Sequence, residues 1–398
     1  MNRTADLELW FPQMVEWRRY LHMHPEVSYQ EVKTSGFVAS VLEDLGYEVR
    51  TGMSGHGVMA VLKGSMPGKT VVLRADMDAL PIRDEKECEY KSTVDGAMHA
   101  CGHDGHTSIL LAAAAYYMSI RERVRGEIRF MFQPAEEVCP GGAIGMIQAG
   151  ALEGADVIYG LHLWTPMPIG TAASTAGPVM AAADEFFIDI IGRGGHGGMP
   201  HVTADAVLAA ASLVTQMQSI VSRSVDPLQP AVVTVGTIQG GSAQNVVADR
   251  CRITGTVRTF DEDTRDLIRR RIESMAKAAA EGYGTQAVID YLSGYPAVVN
   301  DAVEAERFFR TAPSVFGEEH VQVSPKIMPA EDFAYYLQEI PGCFMFVGAG
   351  NEAKGAVYPH HHPKFDFDED AMLNGLNLMV QMVEAYQDEH AQEHINRS

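Results

Sequence analysis

Thr70-Val71-Val72-Leu73-Arg74-Ala75-Asp76-Met77-Asp78 is the stretch on which the fold turns. Thr70 to Ala75 forms an apolar strand core, and strands of that kind lie centrally in sheets covered by helices. The run then stops abruptly on two carboxylates one residue apart. Alternate side chains of a strand point the same way, so this pair is either a solvated strand end or a place where something cationic compensates two like charges. Reading outward, Leu7–Tyr20 and Glu31–Leu45 carry apolar residues at helical spacing, with Gly46 stopping the second. Val58–Lys63, Glu127–Gln133 and Val157–Leu163 read as strands, and Ser108–Met118 as an alanine-rich helix. Alternating strands and helices predict an α/β domain with a central mixed sheet flanked by helices. Its polar clusters fall at or just after strand ends, where open α/β sheets hold their ligands.

From about Glu185 the pattern changes. A strand (Glu185–Gly192), a helix (Ala204–Val221), two strands (Ala231–Gln239, Val246–Thr259), a helix (Asp263–Glu281) and a strand (Ala287–Leu292) give the β-α-β-β-α-β order of a ferredoxin-like domain. With 398 residues, too many for one ordinary core, the chain is expected to hold a larger discontinuous domain (1–184 and 294–398) and a smaller inserted domain (185–293). The charged tail after Asp388 is expected to fray.

Composition narrows the partners. A net charge of -21 disfavours nucleic acid and anionic lipid. Met1–Pro12 shows no targeting pattern, and no apolar run is long enough to span a bilayer, so a cytoplasmic protein is expected. Cys88, Cys101, Cys139, Cys251 and Cys343 are odd in number and scattered, as reduced thiols are.

Four clusters carry metal-type side chains. Asp76-Met77-Asp78 is the first. The second, His99-Ala100-Cys101-Gly102-His103-Asp104-Gly105-His106, holds three imidazoles that a packed core would each have to satisfy, so a metal or catalytic loop is the better reading. Cys101 and His103 are good ligands for zinc or a similar metal, although a free cysteine is often only a small buried apolar group. In the third, Gln133-Pro134-Ala135-Glu136-Glu137, adjacent carboxylates point apart, so one can hold a metal while the other moves a proton. Alone, such a pair is usually solvated; its place after a core strand argues otherwise. His162, in Gly160-Leu161-His162-Leu163-Trp164, and His360-His361-His362-Pro363 form the fourth, where a satisfied core histidine and an exposed histidine run are the bland alternatives.

These motifs resemble those of the M20 metallopeptidase family, specifically its amidohydrolase branch of hippurate hydrolases, N-acyl-amino-acid amidohydrolases and auxin-conjugate hydrolases. The likeness runs in order from Arg18-Arg19-Tyr20-Leu21-His22-Met23-His24-Pro25-Glu26 through Leu73–Pro81, His99–Thr107, Phe132–Glu137 and Gly194-Gly195-His196 to His361–Asp366. The resemblance implies two divalent metals per subunit, zinc first, with manganese, cobalt or nickel as alternatives. It makes Cys101 the bridging ligand, with Glu137 and His361 completing one site and His103 and His162 the other. Glu136 matches the general base and His196 the residue that polarises the scissile carbonyl. Asn245 and Arg258 match substrate-binding positions, and a guanidinium suits a free carboxylate, though Arg258 could equally be a surface-paired strand residue. Where the wider family has His-x-Asp, this chain has Asp76-Met77-Asp78. His103 then takes the missing histidine's place, Asp78 orients a ligand histidine, and neither aspartate is itself a ligand. Ala330 departs from the serine common before Glu331-Asp332-Phe333.

The implied activity is metal-dependent hydrolysis of the amide bond of small N-acyl amino acids, releasing a carboxylic acid and a free amino acid. A dipeptidase or carboxypeptidase of the same family, and a non-catalytic metal- and ligand-binding homologue, are the alternatives. Retention of both Glu136 and Glu137 argues against the last. A homodimer, or a higher homo-oligomer, is expected, with His196 of one chain reaching the metals of the other. Acyl group, amino acid and physiological metal depend on loops that no motif describes.

Overall fold

The structure, a computed structural model, describes residues 3–397, with side chains for 6–391. The chain divides into two compact units, one formed by 1–179, 299–325 and 332–398, the other by 180–298 and 326–331.

The first unit is built on an eight-stranded mixed sheet. Side by side lie Val49–Met53, Gly57–Lys63, Arg125–Gln133, Met66–Asp76, Val157–Pro168, Gly342–Gly350, Ala172–Ser174 and Val321–Val323. The central neighbours are parallel: Met66–Asp76 lies between Arg125–Gln133 and Val157–Pro168, and Val157–Pro168 is followed by Gly342–Gly350. Their C-terminal ends therefore open on one edge. Val71, Leu73, Ile128, Phe130, Val157, Tyr159, Met345 and Val347 share one buried cluster with Ile109 and Leu110 of helix His103–Ser119 and Met372, Leu376 and Met379 of helix Asp370–Arg397. Helix His103–Ser119 is buried from His103 to Tyr117, which explains why its sequence reads as alanine-rich rather than amphipathic.

Two expectations change. Leu7–Tyr20 is not one helix: Arg3–Glu8 and Phe11–Met23 are separate, with Pro12 in the first turn of the second, the position where a missing N–H does least harm. The segment after Asp388, expected to fray, is described as the last turns of helix Asp370–Arg397.

In the second unit, strands Ala231–Gly240, Arg250–Thr259, Ala182–Ile191 and Gln286–Ser293 form an antiparallel sheet in that order. Helices Ala206–Ser219 and Glu262–Gly282 supply Leu213, Met217, Ile268 and Ile272 to its core beside Phe186, Ile188 and Ile253. Val246–Thr259, expected as one strand, breaks in two: Val246–Val247 pairs with Gly195–His196, while Arg250–Thr259 enters the main sheet. Residues 326–331 join this unit through hydrogen bonds from the Ala181 N–H to the Ile327 and Pro329 carbonyls, both 3.1 Å, a pairing with no periodic signal in the sequence.

Arg74 is the exception within the apolar strand and only 1% exposed. Its guanidinium donates to Gln133 Oε1 (2.9 Å), Asp76 Oδ2 (2.7 Å) and Asp332 Oδ1 (2.9 Å). Replacing one partner of such a buried group leaves the others uncompensated. Arg74→Met should therefore lose about 3–5 kcal/mol of stability in denaturant unfolding; wild-type stability would show that Asp76 and Asp332 do not depend on it.

Candidate metal centre

The open ends of the parallel strands carry the donors. Met66–Asp76 ends on Asp76, with Asp78 two residues on, and Arg125–Gln133 runs into Pro134–Glu137. On Val157–Pro168 the pairing with Met66–Asp76 stops at Gly160, so His162 emerges level with Asp76, the last residue of its neighbour. Gly102 takes φ 94°, a left-handed conformation that suits glycine, and turns the chain into helix His103–Ser119 with Cys101 and His103 on either side.

Hydrogen bonds fix the imidazoles. His103 Nδ1 lies 2.9 Å from the Asp78 carbonyl and 3.2 Å from its Oδ1. With that nitrogen donating, Nε2 is the ring atom left to face a cation; it is buried and has no hydrogen-bond partner. It faces Glu137 Oε1 at 3.8 Å, Asp76 Oδ2 at 3.7 Å and Glu136 Oε2 at 4.0 Å. His162 Nδ1 donates to the Leu163 carbonyl (2.8 Å), which turns Nε2 toward Cys101 Sγ at 3.4 Å. His361 has φ 65° and its Nε2 stands 3.3 Å from Glu137 Oε1. Asp78 thus bonds a donor histidine, and its Oδ2 also accepts from the Glu137 N–H at 3.0 Å.

Electrostatics describe a centre with too much negative charge. Burial works to lower the His103 pKa, but Asp76, Asp78 and Glu137 raise it to about 10. Burial, then Glu137, Glu136 and Asp76, push the Cys101 thiol well above its usual value. His361 is raised by its hydrogen bond to Glu137, whereas burial and the neighbouring His106 and His360 drive His162 well down. Without a bound cation His103, Cys101 and His361 hold their protons, which a divalent metal would displace, whereas His162 is kept neutral.

Two donor triplets share Cys101: Cys101, His103 and Glu137, and Cys101, His162 and His360, with the ligand atoms of each lying within 4.8 Å of one another. The expected division put His103 with His162 and His361 with Glu137. His361 does stand at Glu137, but the Asp78 bonds aim His103 toward Glu137 as well, and His162 is met instead by His360. That histidine, noted in the sequence as part of the run His360-His361-His362 but given no ligand role, stacks on Trp164 with ring centroids 4.5 Å apart. The donor set fits a pair of borderline cations: soft sulfur between nitrogen and oxygen ligands, with His103 Nε2 buried and lacking a hydrogen-bond partner.

Three expected residues belong to the second unit. His196 pairs with Val246 in its two-residue strand, and its Nδ1 accepts from the Gly198 N–H at 3.0 Å. Gly197 N–H donates to the Asn245 carbonyl at 2.7 Å, so His196 and Asn245 share one turn. Arg258 lies half-buried on Arg250–Thr259, donating to Thr256 Oγ1 and to the Val257 carbonyl of its own strand. Burial lowers its pKa, against the opposing pull of Glu185 and Asp184.

Behind the first unit's donors stands a network the motifs did not disclose. Asp104 accepts from Arg18 Nε (2.9 Å) and His22 Nδ1 (2.7 Å), and Lys86 Nζ lies 2.7 Å from His22 Nε2. His106 spans Asp76 Oδ1 (2.7 Å) and the Leu163 N–H (2.9 Å), tying two strand ends together. Arg18 and His22 were visible only as part of an N-terminal motif, since nothing in sequence joins them to Asp104.

The pattern of Peptidase family M20/M25/M40 matches residues 72–385. The chain is similar to an N-acyl-L-amino acid amidohydrolase of Geobacillus stearothermophilus, 48% identical over 72% of this chain and 78% of that one. It is also similar to thermostable carboxypeptidase 1 of Saccharolobus solfataricus, 38% identical over 94% of each. Among solved structures, the Bacillus subtilis YXEP protein, described as a dinuclear metal binding peptidase from the M20 family, aligns with a TM-score of 0.82 at 32% identity, covering 96% of this chain and 99% of that one.

The membership of Cys101 in both triplets has a measurable consequence. Metal analysis should find two divalent ions per wild-type chain and most of that metal lost in Cys101→Ala; unchanged stoichiometry would remove Cys101 from the ligand set.

Proposed function

The chain belongs to peptidase family M20/M25/M40, and from that premise we propose that it is a two-metal amidohydrolase that removes the acyl group from small N-acyl amino acids. The observation that carries this reading is the pair Glu136–Glu137: one carboxylate stands among the donors while its neighbour, 6% exposed, lies at the same opening.

Cys101, His103, Glu137, His162 and His361 are the proposed ligands. Divalent metals bound there supply Lewis acidity for the carbonyl and lower the pKa of water toward about 7. Zinc is the first choice for a sulfur-containing set, with manganese, cobalt or nickel as alternatives. Glu136 takes the proton from the attacking water and returns it to the leaving nitrogen, which makes the free amine a competent leaving group. His196 donates a hydrogen bond to the carbonyl oxygen as negative charge builds on it. Arg258 grips the free carboxylate of the substrate, and Asn245 holds the amide beside it. Asp78 keeps His103 in the ligating tautomer.

The division 1–184 with 294–398 as catalytic domain and 185–293 as lid or dimerisation domain is part of the same proposal. Ala231–Gly240 and Gln286–Ser293 are edge strands of the second unit's sheet, and pairing such edges across a two-fold axis satisfies their backbone groups. The homodimer rests on that argument. Five free cysteines support residence in a reducing compartment, the cytoplasm; no helix among the described residues is long and apolar enough to cross a membrane. The carboxypeptidase relative keeps a second reading in view, cleavage of a peptide's C-terminal residue, which uses the same groups on a longer acyl portion.

A panel of acetyl-, benzoyl- and indoleacetyl-amino acids beside dipeptides separates the two readings: acyl-amino acids should turn over fastest, and a preference for dipeptides would favour the peptidase. Glu136→Gln should keep its metal and lose about 100- to 10,000-fold in turnover, while Glu137→Gln loses metal; interchanged phenotypes would reverse the two roles. Co-refolding inactive Glu136→Gln with inactive His196→Ala should restore about a quarter of wild-type activity if dimers form at random, each mixed dimer carrying one intact site. Mixed dimers without activity would place His196 in its own chain's site or outside it.

A further inference from the structure

Glu31 stands at the entrance of helix Val32–Asp44 and does not cap it. The N–H groups of Lys33 and Thr34 are satisfied instead by Glu26 Oε2, each at 2.8 Å. The Glu31 carboxyl is turned inward, is fully buried, and accepts the Ala135 N–H through Oε1 at 2.7 Å. Burying a carboxylate is costly unless it serves a partner, and its own helix makes no use of it.

Ala135 shows what the partner needs. Its φ is 54°, a left-handed conformation that an alanine keeps only when its surroundings impose it. Glu31 holds its N–H, and its carbonyl accepts the Gly142 N–H at 3.0 Å. One residue beyond Glu136, the Glu137 N–H donates to Asp78 Oδ2 at 3.0 Å, and that carboxylate is itself held by Ser28 Oγ at 2.7 Å. The amides on both sides of Glu136 are therefore tied to buried carboxylates, one of which lies three residues from Ser28 in the segment that precedes helix Val32–Asp44.

We propose that Glu31 is a positioning residue: its carboxyl oxygen holds Ala135 in the left-handed conformation and so aims the Glu136 side chain at the scissile amide. The inference rests on Glu136 being the proton carrier. Misplacing a reacting group by about 1 Å costs on the order of 100-fold in rate, so a single hydrogen bond to the neighbouring amide has a large effect on turnover and little on binding. Burial and the nearby Asp78 raise the Glu31 pKa to about 7, in keeping with a role that needs an acceptor oxygen rather than a full charge.

The test compares Glu31→Met, which keeps length and removes the acceptor, with Glu31→Gln, which keeps an acceptor without the charge. Both are reconstituted with cobalt and assayed on the fastest substrate of the panel above. Glu31→Met should lose about 100-fold in kcat with KM and bound metal unchanged, and its Ala135 amide should exchange with deuterium faster. Glu31→Gln should recover most of kcat. Adding Ala135→Gly to Glu31→Met should raise kcat again, because glycine adopts a positive φ without the penalty alanine bears. If Glu31→Met does not fold, Glu31→Ala takes its place. Wild-type kcat in the acceptor-free variant, loss of metal together with activity, or a Glu31→Gln as slow as Glu31→Met would each overturn the proposal. An active Glu136→Gln would defeat the base assignment instead, and with it the aiming role; the exchange rate of the Ala135 amide then reports separately whether Glu31 holds the loop.

Discussion

Negative charge gathered in one buried place is the constraint on which the rest of the structure depends. Asp76, Asp78 and Glu136 converge at the ends of parallel strands beside Glu137 and the neutral Cys101 thiol, with the two aspartates at 0 and 1% exposure. The chain answers part of this charge itself. Arg74 pairs with Asp76, His106 binds the other Asp76 oxygen, and His103 is held by Asp78. What remains, Cys101 and Glu137 with nitrogens facing them, is what a pair of divalent cations would neutralise, and leaving such groups uncompensated in a buried site is expensive.

Holding those groups together requires backbone that departs from ordinary geometry. Gly102, Ala135 and His361 all adopt positive φ within this one centre, and the two that are not glycine each cost on the order of 1–3 kcal/mol. The compensation is visible in each case: Ala135 is fixed by Glu31 and Gly142, and the His361 N–H donates to the Ala100 carbonyl at 2.8 Å. Strain at 361 thus links the C-terminal histidine run to the loop that carries Cys101.

Much of this was legible in the sequence, for reasons that also explain what was not. The strand Thr70–Ala75 was evident because a run buried on both faces has to be apolar, and the structure extends it only to Met66–Asp76. The donors were legible as residue types, since clustered histidine, cysteine and paired glutamates are hard to accommodate in a core without a metal. Their grouping was not, because it depends on which ring nitrogen a neighbour claims: His103 is aimed by the Asp78 carbonyl, a backbone atom that no motif encodes. Glu31 reads in sequence as an ordinary acid at a helix start, and only the fold reveals that Glu26 has taken over the cap. The partnership of Arg74 with Asp332 spans 258 residues and has no local signature at all.

A titration of cobalt(II) into the metal-free protein, followed by absorption in the thiolate-to-cobalt charge-transfer region, tests the shared-sulfur centre most directly. The account predicts a charge-transfer band that grows with the first equivalent, changes as the second binds to the same sulfur, and saturates at two metals per chain. Saturation at one equivalent, or cobalt binding without a thiolate band, would contradict it.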